Sequence, residues 1–126
     1  MPRYDGQRFS PPAPMASVEL RSRGKSVADV GMLIDSGSDA TFLPASCLSH
    51  LGLQADRQLR YEVTAFDGTQ STADSVRCDL VFLGQIFRGL YLILDAADGI
   101  LGRDVLNQVS LVLDGPRLEW REEKGP

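Results

Sequence analysis

The chain has 126 residues and a mass of 13.8 kDa, enough for one domain and too short for two ordinary ones. With 43% hydrophobic and 24% charged residues it can bury a core, which excludes wholesale disorder. Its 13 Lys and Arg against 17 Asp and Glu give a net charge of −4, which argues against a nucleic-acid partner, because phosphate binding needs surplus cations on one face.

The longest strictly apolar run, Leu90 to Leu94, is far short of a membrane span, so the reading contains no membrane segment; no apolar leader opens the chain as a signal peptide would. Two cysteines, Cys47 and Cys78, make no disulfide framework and fit free thiols in a reducing, cytoplasmic compartment. The single histidine, His50, leaves a His-based metal site short of ligands. Asp35, Asp39, Asp98 and Asp104 do not follow a calcium-loop spacing, so neither metal nor cofactor is expected.

In chain order, residues 1–14 read as a flexible Pro-rich tail, with Pro2, Pro11, Pro12 and Pro14 among polar residues and no packed element before Met15. Val18 and Leu20 alternate with Ser17, Glu19 and Arg21, the period of a half-buried strand. Arg23-Gly24-Lys25 offers a tight turn, and Ser26 to Ile34 returns as a second strand. Ala45 to Leu51 predicts a helix, with Pro44 near its start and Gly52 placed to end it. Tyr61 to Phe66 and Gln70 to Leu83 flank Asp67-Gly68, the strongest short hairpin signal in the sequence. Gly84-Gln85 turns into a strand from Ile86 to Leu94, and Val105 to Gln108 suggests a turn or two of helix. Val109 to Leu113 and Leu118 to Trp120 pair around Asp114-Gly115-Pro116, and residues 121–126 read as a solvated end. The domain is therefore placed at 15–120, all-β with many short strands and little helix: a small barrel or sandwich.

The informative stretch is Met32 to Pro44, an apolar strand that runs into Asp35-Ser36-Gly37-Ser38 and then resumes apolar. A carboxylate at the end of a buried strand is expensive unless it is hydrogen-bonded or functional. Gly37 permits close approach, and the small hydroxyls can donate to the carboxylate. The plainer reading is a strand–turn–strand corner with Asp35 as an Asx-turn residue. A second segment, Asp98-Gly99-Ile100-Leu101-Gly102-Arg103-Asp104, changes the balance.

Together these two segments resemble the paired signatures of the retropepsin-like aspartic proteases, cellular and bacterial rather than viral. The likeness runs from Met15 to Trp120: a hairpin before the Asp, a flap-like hairpin after it, then Ile-Leu-Gly-Arg-Asp. It implies a small closed β-barrel with one or two short helices, acting as an aspartic endopeptidase on peptide or protein substrates. It implies Asp35 as the catalytic aspartate and Ser36 as a hydrogen bond across the active-site floor. Gly37 and Ser38 would support the turn, and Asp39 would form a structural ion pair with Arg103. Leu33, Ala40 and Ile100 would line substrate pockets, with Phe66, Asp67, Gly68 and Thr69 as the flap tip. The chain departs from viral relatives in having one flap glycine and a longer helix at 45–51. It also extends past the last helix, away from the viral interleaving of termini.

Chemistry sharpens this. The reaction needs two carboxylates sharing one proton. The other Asp-Gly pairs, at Asp67, Asp98 and Asp114, lack a hydroxyl between Asp and Gly, so one chain supplies only one member of a matched pair. A twofold homodimer supplies both. The alternative is a non-catalytic or weakly catalytic dimerisation module on the same fold. A serine nucleophile at Ser36 lacks a histidine placed before it, and Cys47 with His50 lacks an orienting third group.

Overall fold

The computed structural model of the chain describes residues 2–124, with the side chains at 57–59 excepted. Strand β1 spans Tyr4–Asp5, β2 Ala13–Ser22, β3 Lys25–Ile34 and β4 Phe42–Pro44; helix α1 follows at Cys47–His50. Strands β5 at Asp56–Thr64, β6 at Gln70–Phe82, β7 at Gln85–Leu94 and β8 at Gly99–Leu101 lead to helix α2 at Arg103–Leu106. Strands β9 at Leu111–Asp114 and β10 at Glu119–Glu122 finish the fold around a short 3₁₀ turn.

Alternation decides which faces turn inward. Val18 and Leu20 in β2, Met32 and Ile34 in β3, and Cys78, Leu80 and Phe82 in β6 are all buried, while their neighbours in the strands are more exposed; of these three strands only β6, at Ser75 and Val76, buries two successive residues. Pairings run β2–β3, β3–β8, β8–β4, β4–β7, β7–β6 and β6–β2, so the ladder closes on itself around one core. Closure removes free edges from these strands. Leu20, Leu43, Leu80 and Leu101 are fully buried at the centre, each contributing about 1.5–3 kcal/mol of apolar burial.

The turn at Arg23-Gly24 falls where the sequence places it, whereas the one expected at Gly84-Gln85 sits one residue earlier, at Leu83-Gly84, with Gln85 already in β7. Arg23-Gly24 and Leu83-Gly84 both hold positive φ, as type I′ hairpins require. Trp120 anchors the C-terminal hairpin: its indole N–H donates to the Met15 carbonyl (2.9 Å), and its ring meets Phe82 at 5.9 Å between centroids.

Three expectations need correction. A packed element does precede Met15: β1 pairs with Ala13–Pro14 of β2, and Tyr4 packs against the core. Pro2, Pro11 and Pro12 lie outside the strands, and Pro14 falls near the start of β2, opposite Tyr4 of the two-residue edge strand β1. The helix predicted over 45–51 covers only Cys47–His50, since Ser46 contributes no side-chain cap and Ala45 is spent bonding to the Leu94 carbonyl. Strand β10 runs to Glu122, so ordered structure reaches past the expected boundary at Trp120; residues 125–126 and Met1 lie outside the described residues. Among the described residues no helix is long and apolar enough to cross a membrane.

Candidate active site

Asp35 comes directly after buried Ile34, and its N–H donates to the Leu101 carbonyl (3.1 Å), so β8 fixes where β3 ends. The chain then turns sharply. The Ser38 N–H donates to the Asp35 carbonyl (3.1 Å) and the Gly37 N–H to Asp35 Oδ1 (2.9 Å). A Cβ on Gly37 would sit 3.1 Å from Asp35 Oδ1 and 3.6 Å from the Phe66 ring. Glycine is needed for that close approach.

The second motif packs beneath the first. A Cβ on Gly99 would collide with the Phe42 carbonyl and the Met32 sulfur, and one on Gly102 with the Ala40 carbonyl. The Gly-Ile-Leu-Gly spacing therefore puts a bare backbone on either side of Ile100-Leu101, where β3 and β4 crowd Gly99 and the Ser38–Ala40 loop crowds Gly102. Arg103 then ties the Asp35 turn down from below. Its backbone N–H donates to the Ser38 carbonyl (2.8 Å), its Nη1 to the Ser36 carbonyl (2.6 Å), and its Nη2 to the Asp39 carboxylate.

The Arg103–Asp39 ion pair forms at the surface. The Asp39 side chain is 90% exposed, so the pair is screened by solvent and contributes about 1 kcal/mol at most. The Ser38 hydroxyl differs from expectation. Ser38 Oγ donates to the Ala40 carbonyl (2.7 Å) rather than to Asp35, and Ser36 is exposed. Backbone, not hydroxyl, holds Asp35 Oδ1.

Sequence reasoning missed the polar link that pins this corner. Thr41 is wholly buried, and its N–H (3.1 Å) and hydroxyl (2.6 Å) both donate to the Asp104 carboxylate. The hydroxyl also accepts from the Gly102 N–H (3.0 Å), and Asp104 accepts from the Val105 N–H (2.9 Å) in the first turn of α2. The sequence offered two weak signals, a lone hydroxyl in an apolar stretch and an acid at a helix start. Nothing local connects them.

A cleft of about 610 Å³ opens above this corner. Asp35, Gly37, Ser38, Asp39 and Ala40 form its floor, with Phe42, Ile100 and Leu92–Leu94 as walls. Its roof is the β5–β6 hairpin, from Glu62 to Phe66 and from Ser71 to Ala73. Of the residues predicted to meet substrate, Ala40, Phe66 and Ile100 line the cleft. Asp67, Gly68 and Thr69 do not, and Leu33 lies half-buried beside its register partner Ile100. Glu62 and Asp95 line it unforeseen.

The hairpin tip is a three-residue loop, with the Gly68 N–H on the Ala65 carbonyl (3.0 Å), the Ala65 N–H on the Thr69 carbonyl (2.9 Å), and Gly68 at φ 86°. Thr69 hydrogen bonds hold the Asp67 carboxyl below its ordinary range. Phe66 at the tip is fully exposed.

The rival nucleophiles are poorly placed. Cys47 is buried and desolvation pushes its thiol up, the reverse of activation, while His50 is exposed. Among the described residues no His, Cys, Asp and Glu group could hold a metal ion.

A sequence model of the family described as aspartyl protease matches residues 18–105, a stretch that spans both motifs and the roof hairpin. The chain belongs to the aspartyl protease family. Its fold is retropepsin-like: it superposes on EIAV protease complexed with the inhibitor HBY-793 with a TM-score of 0.57 and 21% identity, covering 76% of this chain and 86% of that one. No curated protein sequence matches the chain. The family match explains why two distant motifs meet in one corner of this aspartyl protease domain, and it supports hydrolysis of peptide bonds as the family's general activity.

Proposed function

We propose that the protein is an aspartic endopeptidase whose active site is shared between two copies, with Asp35 from each supplying one carboxylate. One observation carries this reading: a lone Asp-Ser-Gly turn at the floor of a roofed cleft, with no second turn of that kind in the chain. The other carboxylates on the cleft are differently built. Asp39 is committed to Arg103, Glu62 belongs to the roof hairpin, and Asp95 follows β7.

The chemistry follows from two carboxyls sharing one proton. The ionised one takes a proton from water, whose oxygen attacks the peptide carbonyl carbon, while the protonated one gives its proton to the carbonyl oxygen. The tetrahedral adduct collapses as the amide nitrogen is protonated and the C–N bond breaks. Ser36, Gly37, Ser38 and Arg103 support the turn that carries Asp35. Ala40, Phe66 and Ile100 contact the peptide, and hairpin closure excludes water. Leu33 reaches substrate only if the second copy brings its cleft over it.

Cleavage of a peptide library across acidic and neutral pH, with Asp35→Ala as control, tests the reading. Activity should follow a bell-shaped profile with an acidic optimum, survive a chelator, and vanish in the variant. Turnover undiminished in Asp35→Ala would overturn it. A wild-type dimer that binds peptides and cleaves none would favour the non-catalytic module instead.

A further inference from the structure

The cleft carries more negative charge than the reaction uses. Asp35, Asp39, Glu62 and Asp95 line it, and among the described residues no Lys, Arg or His does. Asp35 is the reacting group in the reading above, and Asp39 is matched by Arg103. Glu62 and Asp95 remain. Among the described residues neither side chain belongs to an ion pair. The roof strand does carry a cation, Arg60, but it donates to Asp74 (3.0 Å) and stays outside the cleft lining.

Strand pairing sets these two acids on different sides of the opening. The β6–β7 ladder ends at Ser75 and Leu92, whereas β6 stays paired with β5 as far as Gln70 and Thr64. The β5–β6 hairpin therefore parts from β7 and becomes the roof, while the end of β7 continues as a wall. Glu62 belongs to the roof, in register with Thr72, and Asp95 follows Leu94 at the end of the wall. Both residues are exposed, so neither carboxylate bears a burial cost. Apolar Phe42, Leu92 and Ile100 line the same cleft. Among the described residues no acid group could hold a metal ion, which leaves the substrate as the source of a matching charge.

We infer that Glu62 and Asp95 are specificity-determining residues, which select peptides carrying a lysine or arginine close to an apolar side chain at the point of cleavage. This rests on the endopeptidase reading above. An extended peptide turns successive side chains to opposite faces. When one side chain enters the apolar lining above Asp35, its neighbours turn away from the floor, towards the roof and the rim. A long cationic side chain there lays its stem on apolar surface and keeps its charged head in water, so it meets a carboxylate without being desolvated. The attraction is screened by salt and acts through encounter and orientation, so it belongs in kcat/KM. An acidic side chain at the same place meets like charge and is rejected.

Matched peptides that differ only in Lys, Gln or Glu beside an apolar pair test this, assayed at about pH 6, above the ordinary carboxylate range, and at low ionic strength. Wild-type kcat/KM should fall in the order Lys, Gln, Glu, with about fivefold between Lys and Gln. High salt should narrow that gap. In the double variant Glu62→Gln, Asp95→Asn the Lys/Gln ratio should fall to about one, and Glu62→Lys should reverse the order. The ratio separates selection from structural damage, which lowers both rates alike. Equal rates on the Lys and Gln peptides in wild type, or a ratio kept in the double variant, would overturn the charge selection and leave the endopeptidase reading standing. If wild type cleaves none of the peptides, the endopeptidase reading falls, and anisotropy titrations with the same peptides, labelled, decide the rest. Tighter binding of the Lys peptide that the double variant loses would uphold Glu62 and Asp95 as a cation-selecting pair; equal binding of all three would overturn it.

Discussion

Thr41 delivers both its backbone N–H and its hydroxyl to the carboxylate of Asp104, which joins the start of β4 to the first turn of α2 beneath the Asp35 turn. Hydrogen bonds to a charged acceptor contribute about 1.5–3 kcal/mol, and Thr41 is fully buried. Thr41→Val, which keeps the shape and deletes the hydroxyl, should lower stability by about 2 kcal/mol. Thr41→Ser should recover most of it. Urea midpoints of the three proteins check this, and a Thr41→Val midpoint equal to wild type would remove Thr41 from the account.

Arg103 should divide stability from activity. Its ion pair with exposed Asp39 is weak, so Asp39→Ala should change stability by less than about 1 kcal/mol. Arg103→Ala also removes the donor to the Ser36 carbonyl and should cost activity well beyond its effect on unfolding. A lysine cannot serve both acceptors with a planar fork, so Arg103→Lys should rescue only in part. Equal activity in Arg103→Ala and wild type would contradict the positioning role.

Phe66 stands fully exposed at the tip of the roof hairpin and touches no core. Phe66→Ala should leave the unfolding midpoint within about 0.5 kcal/mol of wild type while raising KM for peptides. Steady-state kinetics beside a thermal melt separate the two. Loss of stability with unchanged KM would place Phe66 in structure rather than in substrate contact.

Alkaline pH should unfold the domain through its buried acids. Desolvation, with the Asp79 charge beside it, pushes the Cys78 thiol up to about 11; burial likewise raises Cys47 and Tyr91. A group whose folded pKa lies above its unfolded value contributes stability below the unfolded value and loses it as pH rises through the folded one. From an ordinary thiol near 9.0, stability should decline between about pH 9 and 11, by roughly 2–3 kcal/mol at most from Cys78 alone. Cys78→Ala should start less stable and decline less steeply. Parallel slopes for the two proteins would contradict the assignment.

The sequence made some of this legible and concealed the rest for physical reasons. Strands β2, β3, β6 and β7 declared themselves because one face is buried, so Val18, Leu20, Leu80 and Phe82 fall on a period of two. The turns at Arg23-Gly24 and Leu83-Gly84 lie where positive φ selects glycine. Asp35 stood out because a carboxylate ends an apolar strand. Strand β1 was hidden because its stability comes from pairing with Ala13–Pro14 and from the Leu118 carbonyl, neither visible in a proline-rich start. The Thr41–Asp104 link and the acids Glu62 and Asp95 depend on segments far apart in the chain, and no local spacing encodes them. Ser38 had the right chemistry to reach Asp35, yet backbone geometry gave its hydroxyl to Ala40.

Mixing wild-type protein with Asp35→Asn tests the proposal that each active site draws Asp35 from two copies. At fixed total concentration, with subunits exchanged to equilibrium, only pairs of wild-type copies carry both carboxylates. Activity should then follow the square of the wild-type fraction, falling to about a quarter at equal amounts. Activity that falls in simple proportion, to about a half, would show that one chain suffices and would contradict the account.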